Sequence, residues 1–146
     1  VLKNLLDDPI LYLSDYIIEN KNEYYALLKK VTEHEKWESW VLYILKAIEL
    51  TSIQTLQMMK GIKELIDRTI EKVQSELPKI YKKELIECLF HQPYIKIDFV
   101  KEQLGVRRQT ASDYLKQLES IGILSSIKKN KYLIYINNEF FNFLKR

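Results

Sequence analysis

Cysteine, proline and glycine are all scarce in this chain. Its 146 residues include one Cys, three Pro and three Gly. The single thiol, Cys88, excludes an internal disulfide framework, and a reducing cytoplasm is the expected location. The two histidines, His34 and His91, stand far apart and form no metal-ligand spacing with Cys88. His34 lies among Glu33, Glu35 and Lys36, where it is expected to be solvated. His91 falls at an expected helix end, where a cationic side chain is favourable. Three isolated glycines build no phosphate-cradling loop. On these grounds no catalytic residue, no metal site and no bound cofactor are assigned within the chain. The apolar runs are short and interrupted by charge, so no membrane span is expected. No basic segment precedes an apolar one at the start, so no secretory leader is expected either.

What the chain does have is apolar residues, 47% of the total, with helical spacing over most of its length. Few Gly and Pro with many periodic apolar positions indicate a mainly α fold. The net charge of +3 conceals an asymmetry. Residues 1–78 sum to −3 and residues 79–146 to +6, so an anionic partner is expected at the second half unless those charges are ordinary solvated surface. The chain opens on Val1 rather than Met, within an apolar run (Val1-Leu2, then Leu5-Leu6), which reads as a cut inside a longer protein, with native processing as an alternative.

Helical patterns fill residues 1–77. Asp7-Asp8-Pro9 is a helix-start signal, followed by Ile10, Leu13 and Tyr16/Ile17 at helical spacing. Asn20-Lys21-Asn22 breaks the pattern. A second helix is expected over about 23–33, with Tyr24, Leu27, Leu28 and Val31 on one face. A long stripe then runs through Trp37, Val41, Ile44, Ile48, Thr55, Met59, Ile62, Ile66, Ile70, Val73 and Leu77. No proline interrupts it before Pro78, although Gly61 offers a bend or a second helix start. Such a helix reaches roughly 60 Å at 1.5 Å per residue. A stripe of that length needs cover: an antiparallel bundle, a second copy in a homodimer, or a preceding part of the protein.

The character changes at Pro78, and residues 79–146 are expected to form a separate domain. A helix over about 80–90 turns Tyr81, Leu85, Cys88 and Leu89 inward and stops at Gln92-Pro93. Asp98 is placed as the N-cap of a short helix carrying Phe99, Val100 and Leu104. Gly105 follows where a tight turn needs positive φ. A third helix over about 108–121 buries Ala111, Leu115 and Leu118 and ends at Gly122. Two β-rich runs, residues 123–127 and 132–136, flank a basic tip, Lys128-Lys129-Asn130-Lys131. Residues 138–146 form a short amphipathic helix with Phe140, Phe141, Phe143 and Leu144.

Helix, short helix, glycine turn, helix and basic hairpin is the order of a winged helix-turn-helix. The third helix then offers Arg108, Gln109, Ser112, Asp113 and Lys116 on the side away from its apolar stripe, with Arg107 at the turn. Arg pairs bidentately with guanine and Gln with adenine. Ser112, Lys116 and the helix N-terminus suit phosphates, as do the wing lysines Lys128, Lys129 and Lys131. The expected DNA-contacting set is therefore Arg107, Arg108, Gln109, Ser112, Lys116, Lys128, Lys129 and Lys131. Asp113 on the same face repels phosphate. The run Leu104-Gly105-Val106-Arg107-Arg108-Gln109-Thr110-Ala111-Ser112 resembles the helix-turn-helix of many bacterial regulators, which often carry a capping Ser where Arg107 stands.

The first half carries a different likeness. Pro9-Ile10-Leu11-Tyr12-Leu13-Ser14-Asp15-Tyr16-Ile17, Asn20-Lys21-Asn22-Glu23-Tyr24-Tyr25 with Leu28, and Trp37-Glu38-Ser39-Trp40 resemble Fic-family proteins. The likeness is to the segment that follows that family's catalytic motif, and many bacterial members also end in a winged helix. The resemblance implies AMP transfer from ATP, with Mg, to a hydroxyl of a protein target. The family's His-x-Phe-x-x-Gly-Asn-Gly-Arg loop does not occur in this sequence. No catalytic residue carries over, and the implied AMP-transferase activity, ATP and Mg belong to a parent protein.

Three readings follow. In the first, residues 1–77 close a Fic core and residues 79–146 form a winged helix for DNA binding, self-association or target choice. In the second, the chain is a stand-alone DNA-binding transcriptional regulator with helices for dimerisation. In the third, the basic face docks an acidic protein.

Overall fold

A computed structural model describes residues 12–129 and 132–145. The element order is α1 (Leu13–Glu19), α2 (Lys21–His34), α3 (Trp37–Glu76), α4 (Lys83–His91), β1 (Tyr94–Lys96), α5 (Ile97–Leu104), α6 (Arg108–Ser120), β2 (Leu124–Lys129), β3 (Tyr132–Asn137) and α7 (Asn138–Leu144). The protein is mainly α with one small antiparallel sheet, as its composition indicated. The expected start signal at Asp7-Asp8-Pro9 and the candidate contact residue Lys131 lie outside the described residues.

Contacts divide the chain into two compact units between Lys60 and Gly61, inside α3. In the first unit, Tyr43, Ala47 and Thr51 recur every four residues along α3 and are buried, as is Val31 of α2. Tyr16, Tyr24, Trp40 and Tyr43 join in a ring cluster, with centroids 5.0 Å apart for Tyr24–Trp40 and 5.6 Å for Tyr16–Tyr43. Aromatic pairs at these separations add to the area they bury. Burial raises the Tyr43 phenol above its ordinary pKa, with Tyr16, Glu23 and Tyr24 acting in the same direction. Trp37, Val41, Leu42, Leu45, Leu56 and Met59 remain exposed on α3.

The second unit has one continuous core: Val73 of α3, Leu85, Ile86 and Leu89 of α4, Ile95, Val100, then Ala111, Leu115 and Leu118 of α6, with Leu124 and Tyr135 of the sheet. The last turns of α3 join this core through Val73, although the sequence pattern changes only at Pro78. α3 does not break at Gly61. A Cβ there would meet Phe143 Cζ at 2.5 Å, so the glycine admits the ring of α7 against the α3 backbone.

Two glycines set the ends of α5 and α6. Gly105 adopts φ 60° and Gly122 φ 77°, a left-handed conformation that costs a residue with a Cβ. In each turn the next amide reaches five residues back: Val106 N–H donates to the Lys101 carbonyl at 3.2 Å, and Ile123 N–H to the Leu118 carbonyl at 3.1 Å. These turns direct the chain from α5 into α6, and from α6 into the hairpin.

The sheet order is β1-β3-β2. β2 and β3 pair from Leu124↔Asn137 to Lys129↔Tyr132, and β1 adds Tyr94↔Ile136 through Lys96↔Ile134. Glu119 of α6 accepts a hydrogen bond from the Ser126 backbone N–H at 2.8 Å, tying the helix to β2. Asn137 is 3% exposed and is used twice. Its Nδ2 donates to the Leu89 carbonyl at 3.1 Å, and its Oδ1 accepts from Phe140 N–H, capping α7. Asn137→Ala strands both buried partners, so it should cost about 1–3 kcal/mol, read as a lower thermal midpoint. A change below about 0.5 kcal/mol would show that the two bonds contribute little.

Candidate nucleic-acid interface

α6 is amphipathic in the way its sequence requires. Ala111, Leu115 and Leu118 are fully buried, and this stripe fixes the rotation of the helix. The same rotation exposes Arg108, Gln109, Asp113 and Lys116 and leaves Ser112 half-buried. Arg107 precedes the helix in extended conformation at the N-cap position, also exposed. Its side chain makes no capping hydrogen bond, which is the consequence of Arg standing where a Ser would cap. Lys128 and Lys129 are exposed at the end of β2. Of the eight candidate contact residues, the fold therefore brings Arg107, Arg108, Gln109, Ser112 and Lys116 onto α6 and its entrance, and places Lys128 and Lys129 on the hairpin. Lys131 is outside the described residues.

Two of these side chains already have acidic partners. Arg108 Nη1 donates to Asp98 Oδ1, an ion pair between the first turns of α6 and α5. Gln109 Nε2 donates to Asp113 Oδ1 at 2.9 Å, one turn along α6. Asp98 does not cap α5: that helix begins at Ile97 with Lys96 at the N-cap and no side-chain bond there. The carboxylate expected to cap α5 is engaged by Arg108 instead. The sequence reading missed this pair, since its two members lie on different helices and local periodicity does not report distances between elements.

Among the described residues, little else in the second unit resembles a site. A cavity of about 220 Å³ is lined by Arg68, Thr69, Lys72, Ile123, Asn137 and Glu139, but Arg68 is paired with Glu139 at 3.5 Å and both Asn137 polar atoms are engaged. Cys88 is buried, and desolvation raises its thiol pKa, with Glu87 adding to the rise, so it is held as the neutral thiol. His91 stacks on Phe99 with centroids 5.3 Å apart. Among the described residues no group of three His, Cys, Asp or Glu side chains gathers to hold a metal, and no helix is long and apolar enough to cross a membrane.

The fold and this surface define a class: a mainly α protein whose C-terminal unit presents one amphipathic helix, polar on its outer face, beside a short hairpin. The family model for the C-terminal domain of SoFic-like protein adenylyltransferases matches residues 65–140. The chain belongs to that Fic-like adenylyltransferase family. The match spans the end of α3 through the start of α7 and covers more than half of the sequence.

Proposed function

We propose that residues 79–146 form a winged helix whose α6 enters the major groove of duplex DNA, within the C-terminal part of a Fic-type adenylyltransferase. The observation that supports this most is the outer face of α6, which pairs exposed Arg108, Gln109 and Lys116 with a fully buried Ala111/Leu115/Leu118 stripe. A helix held rigidly by one face and polar on the other suits base-edge readout. Arg107, Ser112 and Lys116 then address phosphates, and Lys128, Lys129 and Lys131 the backbone beside the groove.

AMP transfer to a protein hydroxyl, in this reading, is performed by a catalytic core outside this sequence. The exposed apolar residues of α3 from Trp37 to Met59 support a covering protein surface on that helix, either the core of a longer polypeptide or a second copy. A concentration-dependent mass in sedimentation of this chain distinguishes the second copy.

The test of DNA binding is fluorescence anisotropy with a 30-base-pair duplex across 50–200 mM salt. Each phosphate neutralised contributes a slope of about −0.9 in log K against log salt. Four or more contacts from the helix and hairpin give a slope steeper than about −3.5. No measurable affinity at the lowest salt would refute the groove reading and favour an acidic protein as the partner of this face.

A further inference from the structure

Asp98 stands on α5, yet its carboxylate is spent on Arg108, the side chain best placed to read a base. From this geometry we infer that Asp98 is a positioning residue for sequence readout: it orients the Arg108 guanidinium toward base edges and keeps it from settling on phosphate. The inference rests on the DNA-binding reading above and adds to it a residue that makes no contact with DNA.

An Arg side chain carries five N–H donors in a planar fork. Asp98 takes one of them, at Nη1. The Nε–Nη2 edge stays available, and that edge matches the O6 and N7 acceptors of guanine as a bidentate pair. A guanidinium anchored at one corner loses little rotamer freedom when it meets a base, so the contact is preorganised. The carboxylate also acts by repulsion. The full negative charge of a phosphate approaching Arg108 is repelled by Asp98 more strongly than the neutral guanine edge, whose O6 and N7 carry only partial charge. Asp113 treats Gln109 in the same way, holding Nε2 at 2.9 Å while leaving the amide oxygen and the second N–H for adenine. Both base-reading side chains thus carry a carboxylate partner, and neither Arg107 nor Lys116 has an ion pair with a carboxylate among the described residues. The interface is divided between side chains held for bases and cations left to phosphates.

The experiment compares the chain with Asp98→Asn and Asp98→Glu. A preferred duplex is first selected from a randomised pool with the unaltered chain. Affinity for that duplex and for a scrambled one is then measured across salt, and the thermal midpoint of each variant is recorded. Asp98→Asn should bind the scrambled duplex more tightly, with a salt slope steeper by about 0.9 as Arg108 turns to phosphate. Its discrimination between the two duplexes should fall about tenfold, the scale of one bidentate base contact. Asp98→Glu should restore part of that discrimination, and the thermal midpoint should not track either effect. Equal weakening on both duplexes, or unchanged discrimination, would overturn the inference while leaving DNA binding standing. Failure of the unaltered chain to bind any duplex would overturn both.

Discussion

Arg108→Ala with Lys116→Ala should reduce duplex affinity by about a hundredfold or more. Arg108 is expected to supply a bidentate base contact worth about 1–3 kcal/mol, and every 1.4 kcal/mol is tenfold. Lys116 supplies a phosphate contact on the same face, so its loss should weaken all sequences alike. The single variants separate these roles. Arg108→Ala should lower discrimination between preferred and scrambled duplexes. Lys116→Ala should flatten the salt slope by about 0.9 while discrimination stays as it was. Both side chains are exposed, so the double variant should melt with the parent. Anisotropy on the folded double variant is the measurement, and unchanged affinity would remove α6 from the interface.

The second large effect concerns stability. Leu115→Ala removes a fully buried side chain from the stripe by which α6 joins the core of the second unit, beside α5 and β2. Such truncations cost about 2–5 kcal/mol, the transfer of the lost methyl groups plus the cavity they leave. Small domains have only about 5–15 kcal/mol in total. For a unit of this size the thermal midpoint should drop by roughly 10 °C or more. DNA affinity should persist below the new midpoint and vanish above it, because the exposed face is untouched. Leu42→Ala is the control: Leu42 is 59% exposed, and the change should lie within about 0.5 kcal/mol. A midpoint for Leu115→Ala within 2 °C of the parent would contradict the packing described for α6.

The elements legible in the sequence are those carried by local periodicity. The stripe from Trp37 foretold one long helix, and α3 is that helix through Glu76. Ala111, Leu115 and Leu118 at helical spacing foretold the buried face of α6. The hairpin appeared within one residue of its expected strand limits at each end of β3, and β2 starts at Leu124 and runs to Lys129. What escaped was carried by contacts distant in sequence. β1 has only three residues and a single buried side chain, Ile95, so it has no periodicity to read. It exists because β3, some forty residues later, offers an edge. Asn137 is polar in a strand end and gave no sign that it would join the Leu89 carbonyl to the start of α7. Asp98 carried a capping signal, but Arg108 competed for the same carboxylate and holds it. Gly61 read as a bend; the ring of Phe143 explains why a glycine sits in an unbroken helix.

The bond from Glu119 to Ser126 has a consequence for crowding. β2 lies at the margin of the sheet, where an unengaged backbone invites strands from other molecules to add on. Ser126 N–H is turned away from β3 and engaged by a carboxylate of the same chain, so an incoming strand finds this donor taken and a negative charge beside it. Beyond it come Lys128 and Lys129, whose like charges oppose the approach of a second identical hairpin. Copies brought close together, as on one stretch of polymer or at high expression, are thereby discouraged from fusing their sheets.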